Sequence, residues 1–225
     1  MTGRVLVLGC LLSAGPLYAQ TADDRPIRRV EVEFGGGLLG GAGLGVQDAN
    51  LRANDTAARP YPLFTAGSRF GSAPSVHARV GVALSRRLGV EGGVMLSHPE
   101  IRTSVSGDAE GAPPLTVVER IDQYIIDAGF VIMIDELRAG PLVPFVAAGA
   151  GYLRQLHEGL TVIEHGVVYH AGGGVKHWLL ARDRGFVRAA GLRADARLVL
   201  PAGGISFDDS PGPRGAISGS VFVGF

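Results

Sequence analysis

Cysteine is almost absent from this chain. The one residue, Cys10, lies in an amino-terminal stretch that reads as an export signal, so the exported part is expected to contain no disulfide and to hold together by backbone pairing and packing. Net charge is absent as well: 21 basic residues balance 21 acidic ones, which removes the electrostatic case for a nucleic-acid partner. Long apolar runs are the third absence. Beyond the signal no stretch approaches the ~18–20 consecutive apolar residues of a membrane-spanning helix, so any crossing of a bilayer must use strands.

The amino terminus supplies the parts of a signal peptide. Arg4 provides the positive charge, Val5 to Leu12 a short apolar core, and Gly15-Pro16 a break before a small-residue cleavage point at Ala19. The expected division is therefore a signal at 1–19 and one domain at 20–225. Gly9-Cys10 also resembles the end of a lipobox, but that reading leaves only Val5 to Leu8 as apolar core. What remains of the 225 residues after cleavage suffices for one all-β domain and is short for two.

Glycine is abundant, with 35 residues, about twice the usual share, and the dominant hydrophobic period is two. Val30, Val32, Phe34 and Leu38 alternate with Glu31, Glu33, Gly35 and Gly37. Val76, Ala78, Val80 and Val82 alternate with His77, Arg79 and Gly81. Leu88, Val90, Val94 and Leu96 alternate with Glu91, Gly93 and Met95. Tyr124, Ile126, Phe130 and Ile132 alternate with Gln123, Asp127 and Gly129. The pattern continues in Val167 to Leu179, in Gly191 to Leu200 and in Ile217 to Phe225. Leu142 to Leu153 is apolar or small on both faces, which leaves its register open. These are eight strands of roughly 9–11 residues, the length a tilted strand needs to cross the hydrocarbon layer.

Connections alternate in length. Ser85 to Arg87, Asp135 to Pro141 and Ala181 to Gly185 read as short turns. Leu39 to Pro74, Pro99 to Leu115 and Pro201 to Pro213 read as longer loops, while His157 to Thr161 is too short to fit neatly. An even strand number with short turns on one side and long loops on the other is the habit of outer-membrane barrels. A soluble sandwich or lipocalin-like barrel shows the same alternation with its apolar face turned inward. Apolar-outside is favoured because the opposite face is small rather than broadly polar. Its charges are sparse and of both signs, which suits pairing in a narrow lumen. The expected lumen network is Glu31, Glu33, Arg79, Glu91, Asp127, Lys176, Arg193, Asp195 and Arg197. Arg188 falls on the outward face near the short-turn end, where a long side chain can reach the headgroups.

The ending VFVGF resembles the carboxy-terminal assembly signal of small outer-membrane β-barrels of the OmpA-like and OmpX-like kind, with Val221, Val223 and Phe225 at the alternating hydrophobic and terminal aromatic positions. PFVAAGAGYL, HAGGGVKHW and GLRADARL are similar to the fifth, sixth and seventh strands of such barrels. The resemblance runs from about Val30 to Phe225. It implies an eight-stranded antiparallel transmembrane β-barrel in the cell outer membrane of a Gram-negative bacterium, monomeric, with outer-membrane lipid and the barrel insertion machinery as partners. Peptidoglycan anchoring is not implied.

Other chemistry finds little support. Gly41-Ala-Gly43-Leu-Gly45 is not followed by the helix a phosphate loop requires. His165 and His170, and His170 and His177, fall on opposite faces, so no pair has the strand spacing of a metal site. No Ser stands two residues after a His, so the triad of outer-membrane lipid A deacylases does not transfer. No cofactor is expected. The expected role is non-enzymatic, structural or interacting through extracellular loops with a ligand the sequence does not name; the alternatives are a low-conductance pore and, behind it, a lipid-modifying enzyme.

Overall fold

The computed structural model describes residues 30–51, 61–158, 162–182, 185–205 and 212–225. The signal segment and its cleavage point lie outside the described residues, as does most of the short connection after His157. Eleven strands follow one another: β1 (Val30–Leu39), β2 (Ala42–Leu51), β3 (Tyr61–Phe70), β4 (Ala73–Ala83), β5 (Leu88–Ser97), β6 (Glu100–Ser106), β7 (Leu115–Met133), β8 (Leu142–His157), β9 (Ile163–Ala181), β10 (Ala189–Gly203) and β11 (Arg214–Gly224). A single 3-10 turn, Asp135–Leu137, joins β7 to β8.

Eight of these strands close an antiparallel barrel in the order β1-β4-β5-β7-β8-β9-β10-β11 and back to β1. Closure leaves no unpaired edge around the wall, which a bilayer demands of strands. The paired residues fix the stagger. From Gln123 on β7 the partners run through Ser97, Ser75, Gly37, Ser218, Asp195, Gly174 and Phe145 to Met133, ten residues further along β7. With strands ~4.8 Å apart and a rise of ~3.3 Å per residue, that displacement tilts the strands by ~40°. The wall is therefore narrow and strongly coiled.

Beyond the barrel the wall continues on one side only. β1 runs into β2 across Gly40 and Gly41, β3 into β4 across Gly71 and Ser72, and β5 into β6 across His98 and Pro99, while β7 passes unbroken through both parts. β2, β3, β6 and the first half of β7 pair into a four-stranded sheet standing above the rim at the long-loop end. This corrects the expectation of long loops at Leu39 to Pro74 and Pro99 to Leu115: much of both is strand. β7 and β9, at 19 residues each, are also longer than a bilayer requires.

The interior is layered, and the inward residues of β7 give the sequence of layers. Val131 packs with Phe145, Ala147 and Met133 near the short turns. Asp127 enters a charged layer. Ile125 packs above it with Leu39, Leu153, Val168 and Val199. Gln123 lies in a polar layer with Ser97, Gln155 and Arg214. Ile121 closes the top with Leu44, Phe70 and Ile101, under the protruding sheet. The ambiguous register of β8 is settled here: Val143, Phe145, Ala147, Leu153 and Gln155 face inward.

Candidate functional site: a charged lumen inside an apolar wall

The distribution of polarity is inverted relative to a soluble protein. Phe34, Val80, Ile126, Phe130, Tyr169, Leu198, Ile217 and Val221 are all exposed on the outside, with Phe34 at 67%. Inside, Glu33, Arg79, Glu91, Arg193, Asp195 and Arg197 are all buried. The outer apolar band covers roughly ten residues of each strand, ~25 Å along the axis at this tilt, the height of the hydrocarbon-facing band in outer-membrane barrels. The soluble-barrel alternative, with its apolar face inside, is excluded by this arrangement.

The local sequence produces the charged layer by parity. On β10, Arg193, Asp195 and Arg197 alternate with exposed Leu192, Ala194, Ala196 and Leu198, so three charges project into the lumen from one strand. Asp195 accepts from both flanking arginines, Arg193 Nε and Arg197 Nε, each at 3.1 Å, and from Arg79 Nη1 on β4 at 3.3 Å. Arg193 Nη1 reaches across to Glu33 on β1 at 2.9 Å and to Glu91 on β5 at 2.8 Å. Arg197 Nη2 donates to the other oxygen of Glu91 at 2.7 Å, and Arg79 Nη1 to Glu33 at 2.8 Å. Ser220 adds a hydroxyl bond to Glu33 at 2.8 Å. Asp127 stands at the edge, 4.0 Å from Arg197 Nη1 and 3.1 Å from His170 Nε2. Lys176 and Glu31 pair with each other nearer the short turns, and Lys176 lies 5.0 Å from the centre of the Phe222 ring. All nine residues of the anticipated set thus lie in the lumen, seven in one layer and two in a separate pair.

The wall leaves room for this layer by omission. Gly172 and Gly174 on β9 stand directly opposite Arg197 and Asp195 on β10. A Cβ at Gly172 would lie 2.1 Å from the Ala196 carbonyl oxygen and one at Gly174 2.1 Å from that of Ala194. Only a residue without a side chain permits that approach.

Several lumen residues were not anticipated. His77 lies 3.4 Å from Glu33, and His170 faces Asp127. Both share the parity of a recognised inward charge, which was the available signal. Gln123, Gln155 and Arg214 form the upper polar layer: Arg214 donates through Nε to the Gly40 carbonyl at 2.8 Å and through Nη1 to Gln123 at 3.0 Å. Between the charged layer and the apolar layer of Ile125, Val168 and Val199 lies a cavity of about 40 Å³, room for a water or two, bordered on the charged side by His77, Asp127, His170 and Arg197. Among the described residues no group of three or more His, Cys, Asp or Glu is disposed to hold a metal.

At the short-turn end, Phe225 donates its N–H to the Val30 carbonyl at 2.9 Å and sets its ring against Phe186. Val221 points outward and is exposed, and Val223 is half-buried on the same face. Arg188 precedes β10 rather than lying on its outward face, and its N–H bonds the Gly224 carbonyl at 2.9 Å. Arg87 is neutralised there by Glu136 at 2.7 Å. The Glu136 carboxyl is held below the usual carboxylate range by its own backbone N–H and by Arg87.

No protein-family model matches the chain, and no curated protein does. Among solved structures it is similar to the outer membrane protein OprG from Pseudomonas aeruginosa, with a TM-score of 0.44 and 8% identity over 88% of this chain and 94% of that one.

Proposed function

We propose that the protein is an integral outer-membrane barrel with a sealed lumen and no enzymatic activity, which acts by presenting its protruding sheet beyond the bilayer. The observation that carries this reading is the inversion itself: a closed wall, apolar outside over a bilayer's height and filled inside by paired ions between apolar layers. Charges so placed are costly to bury unless paired and hydrogen-bonded; here each ion of the charged layer has a partner of opposite sign, and Arg214 above it is held by the Gly40 carbonyl and Gln123. An apolar plug on either side of the ion layer opposes a continuous water path. The ends of β2 and β6, together with the starts of β3 and β7, offer a surface clear of lipid, available to an extracellular ligand.

The test is insertion and conductance of the purified protein. Folded protein is expected to enter lipid vesicles, to resist unfolding in detergent until boiled, and to give no step conductance in planar bilayers. A second reading, a low-conductance pore, is favoured by one feature: a water-sized cavity adjoins a network whose arginines each have more than one acceptor. Pairs of that kind can exchange partners. Reproducible unitary currents would favour that reading over the sealed one.

A further inference from the structure

At the long-loop border of the apolar band the outer surface changes character abruptly. On one partner row Tyr124 of β7 stands opposite Arg154 of β8, and Arg154 opposite His165 of β9. Tyr152, also on the outside, stacks on His165 and is hydrogen-bonded to its Nδ1. Just above, on the outward face of the protruding sheet, Arg69 of β3 lies directly opposite Arg102 of β6, and Arg120 of β7 lies opposite Glu100. Aromatic rings at the edge of the band with cations beyond them mark the headgroup level of a bilayer.

Among the described residues, charge at this level is not balanced from within. Glu100 is engaged by Arg102 at 3.2 Å and Asp122 by His98 at 3.5 Å. No described carboxylate pairs with Arg69, Arg120 or Arg154, and all three are exposed. Directly opposed like charges on a strand pair are destabilising; with Glu100 taken by Arg102, Arg69 opposite it is left to find an anion outside the protein. Guanidinium forks match phosphate oxygens two at a time. The adjoining apolar band supplies a place for acyl chains.

We infer that Arg69, Arg102, Arg120 and Arg154 form an exterior site for the phosphate groups of anionic lipid in the leaflet at the long-loop end, with the chains lying against the apolar band below Tyr124 and Tyr152. The site rests on the membrane reading above and goes beyond it by choosing the headgroup. It fixes the depth of the barrel and the orientation of the sheet above it.

Lipid selectivity at the protein surface is the direct readout. Protein reconstituted in phosphatidylcholine is probed with spin-labelled phosphatidic acid and spin-labelled phosphatidylcholine, and the motionally restricted fraction of each is measured. At low salt the phosphatidic acid label is expected to be preferred several-fold, with the preference shrinking as salt rises. The R69Q/R120Q/R154Q protein should show equal restriction of both labels, while lysine at the same three positions should retain a preference. Equal restriction in the unaltered protein, or an unchanged preference in the glutamine variant, overturns the site. Absence of restricted lipid of either kind instead overturns the membrane reading.

Discussion

The guanidinium carbon of Arg193 lies 4.4 Å from the centre of the Phe145 ring. The cation at the centre of the lumen network thus rests on the apolar layer beneath it, and the two layers are joined by more than contact. Replacing Phe145 with Leu keeps most of the bulk and removes the ring quadrupole. The expected loss is about 1–2 kcal/mol, since the pair is desolvated, measured as a lower unfolding midpoint in denaturant. An unchanged midpoint would reduce the ring to filler.

Asp195 accepts from three arginines that come from two strands. Its replacement by Ala leaves Arg79, Arg193 and Arg197 to share Glu33, Glu91 and Asp127, and opens space beside the existing cavity. A destabilisation of about 3–5 kcal/mol is expected if the layer is dry, less if water enters. Conductance should rise from background. Asp195→Asn, which fills the volume without the charge, separates the two effects: stability should fall while the lumen stays closed.

The outer face makes a separate prediction. Cysteines placed at Val80, Ile126, Val175 and Leu198, all exposed on the wall, should react with lipid-borne reagents and poorly with water-soluble ones. Phe34→Arg, near mid-height, should lower folded stability in bilayers by about 2–4 kcal/mol. Rapid labelling by water-soluble reagents at these sites would contradict a lipid-facing wall.

Phe70 ties the protruding sheet to the barrel, buried with Leu44, Ile101 and Ile121. Phe70→Ala is expected to loosen this layer by about 3–5 kcal/mol. Protease should then cut between Leu39 and Ala73 while the barrel keeps its resistance to detergent until boiled. Loss of that resistance would show that the sheet and the barrel fold as one unit.

How much of this was legible in the sequence depends on side-chain contrast. Where a strand has apolar residues on one face and charge or glycine on the other, as in Val30–Leu39 and Ala189–Gly203, parity alone assigns inside and outside. Leu142 to Leu153 lacks that contrast, so its register waits on its neighbours. β2 and β3 were missed because AGLGVQDANL and YPLFTAGSRF mix polar, glycine and proline positions without a consistent face, and β6 because EIRTSVS, though it alternates, is only 7 residues long and falls short of a membrane-crossing strand. They are held by pairing to strands already in place rather than by their own period. Arg214 was missed because it precedes the alternating run that begins at Ile217, and its partners, Gly40 and Gln123, are remote in sequence.

The stagger of the wall constrains how such a molecule comes to exist. Glu33 and Arg193 are 160 residues apart and meet only because β1 is stitched to β11 and β11 to β10. Before that seam forms, Glu33 has only Arg79 of the neighbouring β4 and Arg193 only Asp195 of its own strand, and a partly assembled sheet in hydrocarbon would present under-paired arginines and glutamates to the acyl chains. Such a species is too costly to accumulate. Passage into the bilayer and closing of the seam are therefore a single kinetic event, and its rate should be limited by the search that brings the first strand to the last.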